Sequence, residues 1–171
     1  DDTLSVETTL GLIVESATKV VPGASAVIYS YDETRQAFDP ASRLSAGEWM
    51  PPTPGDEPRP VGLGMRAMQQ HRRVLSYEEP DLDIHPIKAQ AGALTVACLP
   101  LMVADEVVGA LYVYLNEKRP FTQLELLMLD NFVNQAAMAI AQTQRLSSVR
   151  RDLARKEDEL TRLRRAGLLI S

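Results

Sequence analysis

The feature that most constrains the fold is a pair of apolar segments separated by a short polar turn. Residues 94–103 and 107–115 carry no charged side chain, and Asp105-Glu106 lies between them. Two segments of this length and composition, joined by so short a turn, predict an antiparallel hairpin. Because neither strand alternates apolar with polar residues, neither face of the hairpin is suited to water. The sequence therefore predicts a sheet that other elements cover on both faces.

Helical patterns flank this hairpin along the chain. Apolar residues recur every three or four positions between residues 3 and 21, and Pro22-Gly23 ends the run, which predicts a first amphipathic helix. After the hairpin, Thr122 and Glu125 have the spacing of a capping box. They predict the start of a long last helix that packs on the sheet and then continues beyond it.

The segment between the first helix and the hairpin predicts short elements separated by two polar loops. In chain order these are a strand over 24–31, a weaker strand over 36–46, a proline-rich loop over 51–60, a helix over 62–71, a brief strand over 74–77, a loop over 78–86 and a helix over 87–91. Pro40 in the weaker strand indicates either an edge position or a bulge. Strands and helices in this order predict an α+β fold with an antiparallel sheet.

Composition and charge exclude several classes of function. The chain has 171 residues and a net charge of −5. Residues 145–165 hold eight basic and four acidic side chains, a charge of +4, which leaves −9 for the rest. An acidic globular part argues against nucleic-acid binding, which needs a basic surface. The mixed charges of the tail are typical of a solvated coiled-coil flank.

The same composition predicts the compartment and the extent of the chain. No apolar run is long enough to span a membrane and no signal peptide opens the sequence, so we predict a cytoplasmic chain. Cys98 is the single cysteine, which excludes an internal disulfide and a cysteine-based zinc site. Because the chain starts without methionine and stops within the apolar run 168–171, we interpret it as a fragment of a larger protein.

Several motifs in the second half of the chain resemble a GAF domain. They are CLPLMVADEVVGALYV (98–113), RPFTQLELL (119–127) and NQAAMAIA (134–141). The run Gly62-Leu-Gly-Met65 resembles the glycine-led helix of the family, and Asp83 falls where the family often has an aspartate. The resemblance covers residues 3–146, so we predict a GAF-like domain over 1–146 and a coiled-coil linker helix over 147–171.

This resemblance implies terminal helices on one face of the sheet and a ligand pocket under small helices and loops on the other. The residues it places near the pocket are Trp49, Met65, Met68, Tyr77, Asp83, Ile84 and His85. Family members bind cyclic nucleotides, bilins, haem or small metabolites, and some bind nothing. The fold class therefore leaves the ligand and any cofactor unknown.

The residues present argue against three activities that are found on this fold: cyclic-nucleotide binding, covalent bilin attachment and reduction of methionine sulfoxide. The cyclic-nucleotide signature of the family is matched only at Asn116 and Phe121, which the start of a helix explains equally well. Covalent bilin attachment needs a cysteine on a helix, usually before histidine, whereas Cys98 lies in a strand before leucine. Reduction of methionine sulfoxide on this fold needs a second thiol to resolve the intermediate. We therefore predict no catalytic residue and a regulatory rather than enzymatic chain.

Histidines and carboxylates give no metal motif. The spacing of His71 and His85 matches no zinc site. His71 is predicted to cap the end of the helix over 62–71. His85 has two interpretations, a pocket residue beside Asp83 or an ordinary exposed loop histidine, and the second is favoured. Asp81 and Asp83 are interpreted as solvated carboxylates.

The last helix predicts a homodimer. Its apolar stripe and its later heptads supply the interface residues Phe132, Val133, Ala136, Ile140, Leu146, Val149, Leu153, Leu160 and Leu163, and the heptad pattern continues to Ile170. Lys156 falls in the same seam and weakens it. We predict a non-catalytic small-molecule sensor that dimerises through a parallel coiled coil in a bacterial signalling protein such as a histidine kinase. The alternative is a structural dimerisation module whose pocket is filled by side chains.

Overall fold

The computed structural model describes residues 2–47, 49 and 51–168, and side chains from residue 6 onward. The helices and strands alternate along the chain much as the hydrophobic pattern predicts. They are α1 (Asp2–Val20), β1 (Ser25–Asp32), β2 (Ala37–Ala46), α2 (Leu63–Gln70), β3 (Val74–Leu75), α3 (Pro86–Gln90), β4 (Thr95–Val103), β5 (Glu106–Leu115) and α4 (Gln123–Arg165). This confirms the α+β class.

The strands form one antiparallel sheet in the order β2-β1-β5-β4-β3. Successive side chains of a strand point to opposite faces. On β1, Ala26 and Ile28 pack with α1 and α4, whereas Val27 and Tyr29 pack with α2 on the other face. The sheet is therefore covered on both sides, as its apolar hairpin predicts.

Two details of the sheet follow from local sequence. β2 lies at the edge, where Pro40 is tolerated, and its pairing with β1 shifts register between Ile28 and Ser30. The predicted strand over 74–77 is too long, because Ser76–Glu78 forms a 3₁₀ turn after the two residues of β3. The Ser76 hydroxyl accepts a hydrogen bond from the Val96 N–H at 2.9 Å and holds this turn against β4.

The capping box predicted at the start of α4 is present. Thr122 Oγ1 accepts from the Glu125 N–H at 3.1 Å, and Glu125 Oε1 accepts from the Thr122 N–H at 2.8 Å. Arg119 donates to both carboxylate oxygens of Glu125 and fixes that side chain. α4 then runs for 43 residues, or about 65 Å at 1.5 Å per residue.

α4 outruns the globular part of the molecule. Its last buried side chain is Ala141, and the helix continues to Arg165. Ile170 of the predicted heptad lies outside the described residues. Within the described part of the chain, no helix has the length and apolar character needed to cross a membrane.

Candidate functional site

A cavity of about 40 Å³ lies between the sheet and α2, on the face opposite the terminal helices. It reaches the start of α2 and the loops on either side of it. The residues that line it are Tyr29, Asp56, Pro58, Arg59, Gly62, Leu63, Gly64, Met65, Ile84, His85, Val96, Tyr112 and Tyr114. Drug-sized ligands occupy pockets of roughly 300–1,000 Å³, so this cavity suits only a small molecule or a few waters unless the loops open.

Three tyrosines form the sheet wall of the cavity. Tyr29 on β1 and Tyr112 on β5 meet edge to face, with ring centroids 6.0 Å apart, and Tyr114 stacks on Tyr112. Because Tyr112 and Tyr114 are two positions apart, the pleat of β5 turns both to the same face. Burial raises the pKa of all three phenols, so their hydroxyl groups stay protonated.

Two of these hydroxyl groups have no hydrogen-bond partner. Tyr29 is 2% exposed and Tyr112 is 7% exposed. Among the residues that the structure describes, neither Tyr29 Oη nor Tyr112 Oη forms a hydrogen bond. The Cys98 thiol lies near the Tyr112 hydroxyl, without hydrogen-bond geometry. A buried polar group left unpaired costs about 1–3 kcal/mol, which is recovered when a bound molecule supplies the partner.

Gly64 on α2 allows the Tyr112 side chain to reach the cavity. A Cβ atom at Gly64 would lie 1.8 Å from Tyr112 Oη and 2.7 Å from its Cζ. Any larger residue at this position would therefore displace the ring or the helix. The glycine-led start of α2 that the sequence showed is explained by this close approach.

A buried ion cluster holds the proline-rich loop beside the cavity. Lys88 Nζ on α3 donates to Asp56 Oδ2 at 3.1 Å, and Arg43 Nη2 lies 3.8 Å from the same oxygen. Burial favours neutral Asp56, but hydrogen bonds from the Thr53 N–H and from Lys88 outweigh it and lower the pKa of this carboxyl. Burial also favours the neutral form of Lys88 and lowers the pKa of its amine, and Asp56 opposes that shift. The cluster contains two cations and one carboxylate.

His85 is a structural residue of the cavity rim. Its Nδ1 accepts from the Ile87 N–H at 3.2 Å and caps α3, and its Nε2 lies 3.1 Å from the Glu57 carbonyl oxygen. A neutral ring with the proton on Nε2 satisfies both contacts. Burial, and next the Arg59 guanidinium, lower the pKa of His85. The favoured interpretation, an exposed loop histidine, is therefore wrong, and both ring nitrogens are engaged.

The predicted pocket residues lie in three different places. Met65, Ile84 and His85 line the cavity. Tyr77 and Asp83 lie instead along an open groove beside β4, where the Tyr77 hydroxyl accepts from the Phe121 N–H at 3.1 Å.

The other two predicted residues pack around the cavity without lining it. Met68 is buried in the core beneath α2. Trp49 packs at the edge of the same core, and its Nε1 donates to the Gly23 carbonyl oxygen at 2.8 Å.

Sequence reasoning missed the polar groups that define the cavity. The tyrosines had a usable signal, because their two-residue spacing on apolar strands puts them on one face. Arg43, Asp56 and Lys88 had none, since three charged residues far apart in sequence are brought together only by the fold. Arg59, which donates to the Asp83 carbonyl oxygen at 2.8 Å, was also missed.

None of the other candidate chemical groups lines the cavity. Cys98 is fully buried in β4, and burial raises the pKa of its thiol. His71 ends α2 in a left-handed conformation, and its Nε2 lies 2.6 Å from Glu33 Oε1 rather than at the helix carbonyls. Asp81 accepts two hydrogen bonds from Arg66. No group of three potential metal ligands occurs among the described residues.

The predicted dimer residues divide between the core and the surface. Val133, Ala136 and Ile140 are buried against the sheet of the same chain, and Phe132 is partly buried with them. These four are therefore largely unavailable to a partner. The later heptad residues lie along the projecting part of α4, where Leu163 is partly exposed and Leu146, Val149, Leu153 and Leu160 are exposed.

The comparisons with known proteins agree with this architecture. A family model described as "GAF domain" matches residues 3–141, and the chain belongs to the GAF domain family. No curated protein matches the chain.

Solved structures show the same fold at low sequence identity. The GAF domain/HD domain protein from Geobacter sulfurreducens is 22% identical, with a TM-score of 0.60 over 81% of this chain and 94% of that chain. The type II free methionine-R-sulfoxide reductase from Thermoplasma acidophilum is 15% identical, with a TM-score of 0.66 over 83% and 96%. The GAF domain of a two-component sensor histidine kinase from Bacillus halodurans is 11% identical, with a TM-score of 0.61 over 82% and 96%.

Proposed function

We propose that this chain is the sensing and dimerisation module of a cytoplasmic bacterial signalling protein, and that it is regulatory rather than catalytic. One observation carries the proposal: a cavity with unpartnered polar groups and a projecting helix lie on opposite faces of one sheet. The GAF domain of a sensor histidine kinase has a similar fold, which is consistent with this context.

The sheet offers a direct connection between the cavity and α4. On β5, Tyr112 faces the cavity while its neighbours Leu111 and Val113 pack in the core that α4 covers. A molecule that moves Tyr112 would therefore move the side chains under α4. Signalling requires that the ligand bind one arrangement of this packing better than another.

Dimerisation in this proposal uses the exposed part of α4. Leu153 and Leu160 are 56% and 45% exposed, at seven-residue spacing with Leu146. Leucines that remain in water contribute no hydrophobic stabilisation to a single helix, whereas a parallel partner helix would bury them in a coiled-coil seam. Closer to the domain, Leu124, Leu127 and Met138 are also exposed and extend the available apolar surface.

The environment of Cys98 argues against a reductase activity for this chain. A catalytic thiol attacks as a thiolate and needs access to its substrate. Cys98 is fully buried, and that burial raises the pKa of its thiol, which disfavours the thiolate.

A structural module without a ligand is the second candidate. The small volume of the cavity favours it, because Tyr29, Tyr112 and Met65 already occupy much of the space that a larger ligand would need. In this case the chain would only dimerise and space the domains attached to it.

Thermal unfolding with a panel of small metabolites and cyclic nucleotides separates the two candidates. The sensor predicts a midpoint that rises with the concentration of one compound, because binding to the folded state stabilises it. Val96→Leu, which adds a methylene at the cavity wall, should abolish this rise. The structural module predicts no rise with any compound and a small gain in stability for Val96→Leu, because the substitution fills a void.

A further inference from the structure

Several buried polar atoms at and beside the cavity form no hydrogen bond among the described residues. They are the hydroxyl groups of Tyr29 and Tyr112 and the Nε and Nη2 atoms of Arg43 on β2, although Nη2 lies 3.8 Å from Asp56 Oδ2 in an ion pair. Arg43 lies close enough to Tyr29 to lower the pKa that burial raises, yet no hydrogen bond joins them. A molecule in the cavity that accepts hydrogen bonds would satisfy the hydroxyl groups of Tyr29 and Tyr112, which line it, whereas Arg43 lies outside the lining.

The start of α2 adds further donors at the same place. Gly62, Leu63, Gly64 and Met65 line the cavity, and the helix has neither a side-chain cap nor an acidic residue in its first turn. The first amides of a helix have no partner within the helix, and they favour a negative charge. The Tyr112 hydroxyl lies beside Gly64, so this hydroxyl and the first turn of α2 border one small space.

The charges near this space leave an excess of one positive charge. Arg43, Arg59 and Lys88 are cations, and Asp56 and Glu57 are the carboxylates that act on the Tyr29 phenol or the His85 ring beside it. Asp56 is already bonded to Lys88 and to the Thr53 N–H. A bound monoanion would neutralise the excess, whereas a dianion would exceed it.

We propose that this end of the cavity binds the carboxylate of a small monocarboxylic acid through the Tyr29 and Tyr112 hydroxyl groups and the first amides of α2. The inference rests on the proposed function, because it requires that the cavity take a ligand. The volume of about 40 Å³ fits a small acid and excludes nucleotides and tetrapyrroles in this conformation. Arg43, which acts on the Tyr29 phenol, adds a positive charge near this end of the cavity.

The test is a titration of the isotope-labelled chain with sodium acetate, followed by the amide NMR signals of Leu63 and Gly64. Sodium chloride keeps the ionic strength constant, and acetamide serves as the neutral isostere. We expect saturable shifts with acetate and at least about tenfold weaker binding of acetamide. Tyr29→Phe should raise the Kd for acetate about tenfold or more, because a hydrogen bond to a charged group is lost.

Tyr31→Phe is the matched control. Tyr31 lies in the same core, but its hydroxyl donates to Met65 Sδ at 3.8 Å and does not line the cavity. Acetate binding should be unchanged in this variant. If Tyr29→Phe does not fold, Tyr112→Phe removes the second hydroxyl and should weaken binding by a similar factor.

The outcomes distinguish this inference from the proposed function. Equal binding of acetate and acetamide, or equal affinity in Tyr29→Phe and Tyr31→Phe, would overturn the carboxylate site while leaving a ligand cavity. Absence of acetate binding, with a thermal shift from a neutral compound, would do the same. Absence of any binding in both experiments would overturn the inference and the sensor proposal together.

Discussion

Tyr112 shows how one side chain in the cavity constrains another element. Its hydroxyl occupies the space where the first carbon of any side chain at residue 64 would lie. The requirement for glycine at the start of α2 is therefore steric and comes from β5. The glycine-led helix is visible in the sequence by resemblance, but the residue that requires the glycine is not, since the two are 48 positions apart (64 and 112).

Gly64→Ala should destabilise the fold by about 1–3 kcal/mol, the usual cost of overpacking a core. Gly11→Ala is the matched control, because a Cβ at this position of α1 meets no atom within 4 Å. Alanine there should stabilise the helix by about 0.5–1 kcal/mol. Urea unfolding measures both changes, and equal effects of the two substitutions would contradict the steric role of Tyr112.

Because the pKa of His85 is shifted by folding, we expect the stability of the fold to depend on pH. Its pKa is lowered in the folded state, so the unfolded chain binds a proton more readily. The stability that neutral His85 contributes is present above about pH 6.5, the pKa of histidine in an unfolded chain. It is lost as the pH falls through that pKa toward the lower pKa of His85 in the folded chain. We expect the free energy of unfolding to decrease between about pH 7.5 and about pH 5.5.

The matched variant for this prediction is His85→Asn. An asparagine Oδ1 can still accept from the Ile87 N–H, but the side chain does not titrate. Unfolding measured at both pH values should show a smaller decrease in the variant than in the original chain, while His71 is common to both. A decrease of the same size in both chains would assign the effect to other groups.

Among the helices and strands, sequence patterns predicted the features that are determined by residues close together along the chain. The hairpin, the two terminal helices and the capping box of α4 follow from apolar periodicity and cap spacing, and Pro40 limited β2 to an edge position or a bulge. The ordering of the proline-rich loop depends instead on an ion cluster whose members come from three elements. No local pattern marks such contacts, so the sequence predicts only a polar, proline-rich loop here, whereas Asp56 is buried.

We expect substitutions in the ion cluster to lower the free energy of unfolding by unequal amounts. Asp56→Asn leaves Lys88 and Arg43 without their shared carboxylate, and loss of one partner in a buried pair costs about 3–5 kcal/mol. Lys88→Met leaves Asp56 with Arg43 and the Thr53 N–H, so it should cost clearly less. Urea unfolding measures the costs, and limited proteolysis should cut the loop over 51–60 faster in Asp56→Asn. Equal costs would show that Asp56 is not the centre of the cluster.

In the whole molecule, the two faces of the sheet have different roles: one face borders the cavity and the other anchors the projecting helix. The cavity face has little free volume, and the opposite face anchors a helix whose second half has no support from its own chain. Apolar periodicity predicted that α4 would project, because heptads continue beyond the stripe that packs on the sheet. It could not separate the residues that the domain itself buries, such as Ala136 and Ile140, from those left for a partner.

Native mass spectrometry of the purified chain is the most direct test of the proposed dimeric sensor, because it reports subunit number and retained ligand together. We expect a dimer for the unsubstituted chain and a monomer for Leu153→Asp/Leu160→Asp, which places charges in the seam. Ala154→Asp/Thr161→Asp adds the same charge on a side of the helix that faces away from the seam, so this variant should remain dimeric. A monomeric original chain, or a dimer that survives the seam substitutions, would contradict the proposed coiled coil.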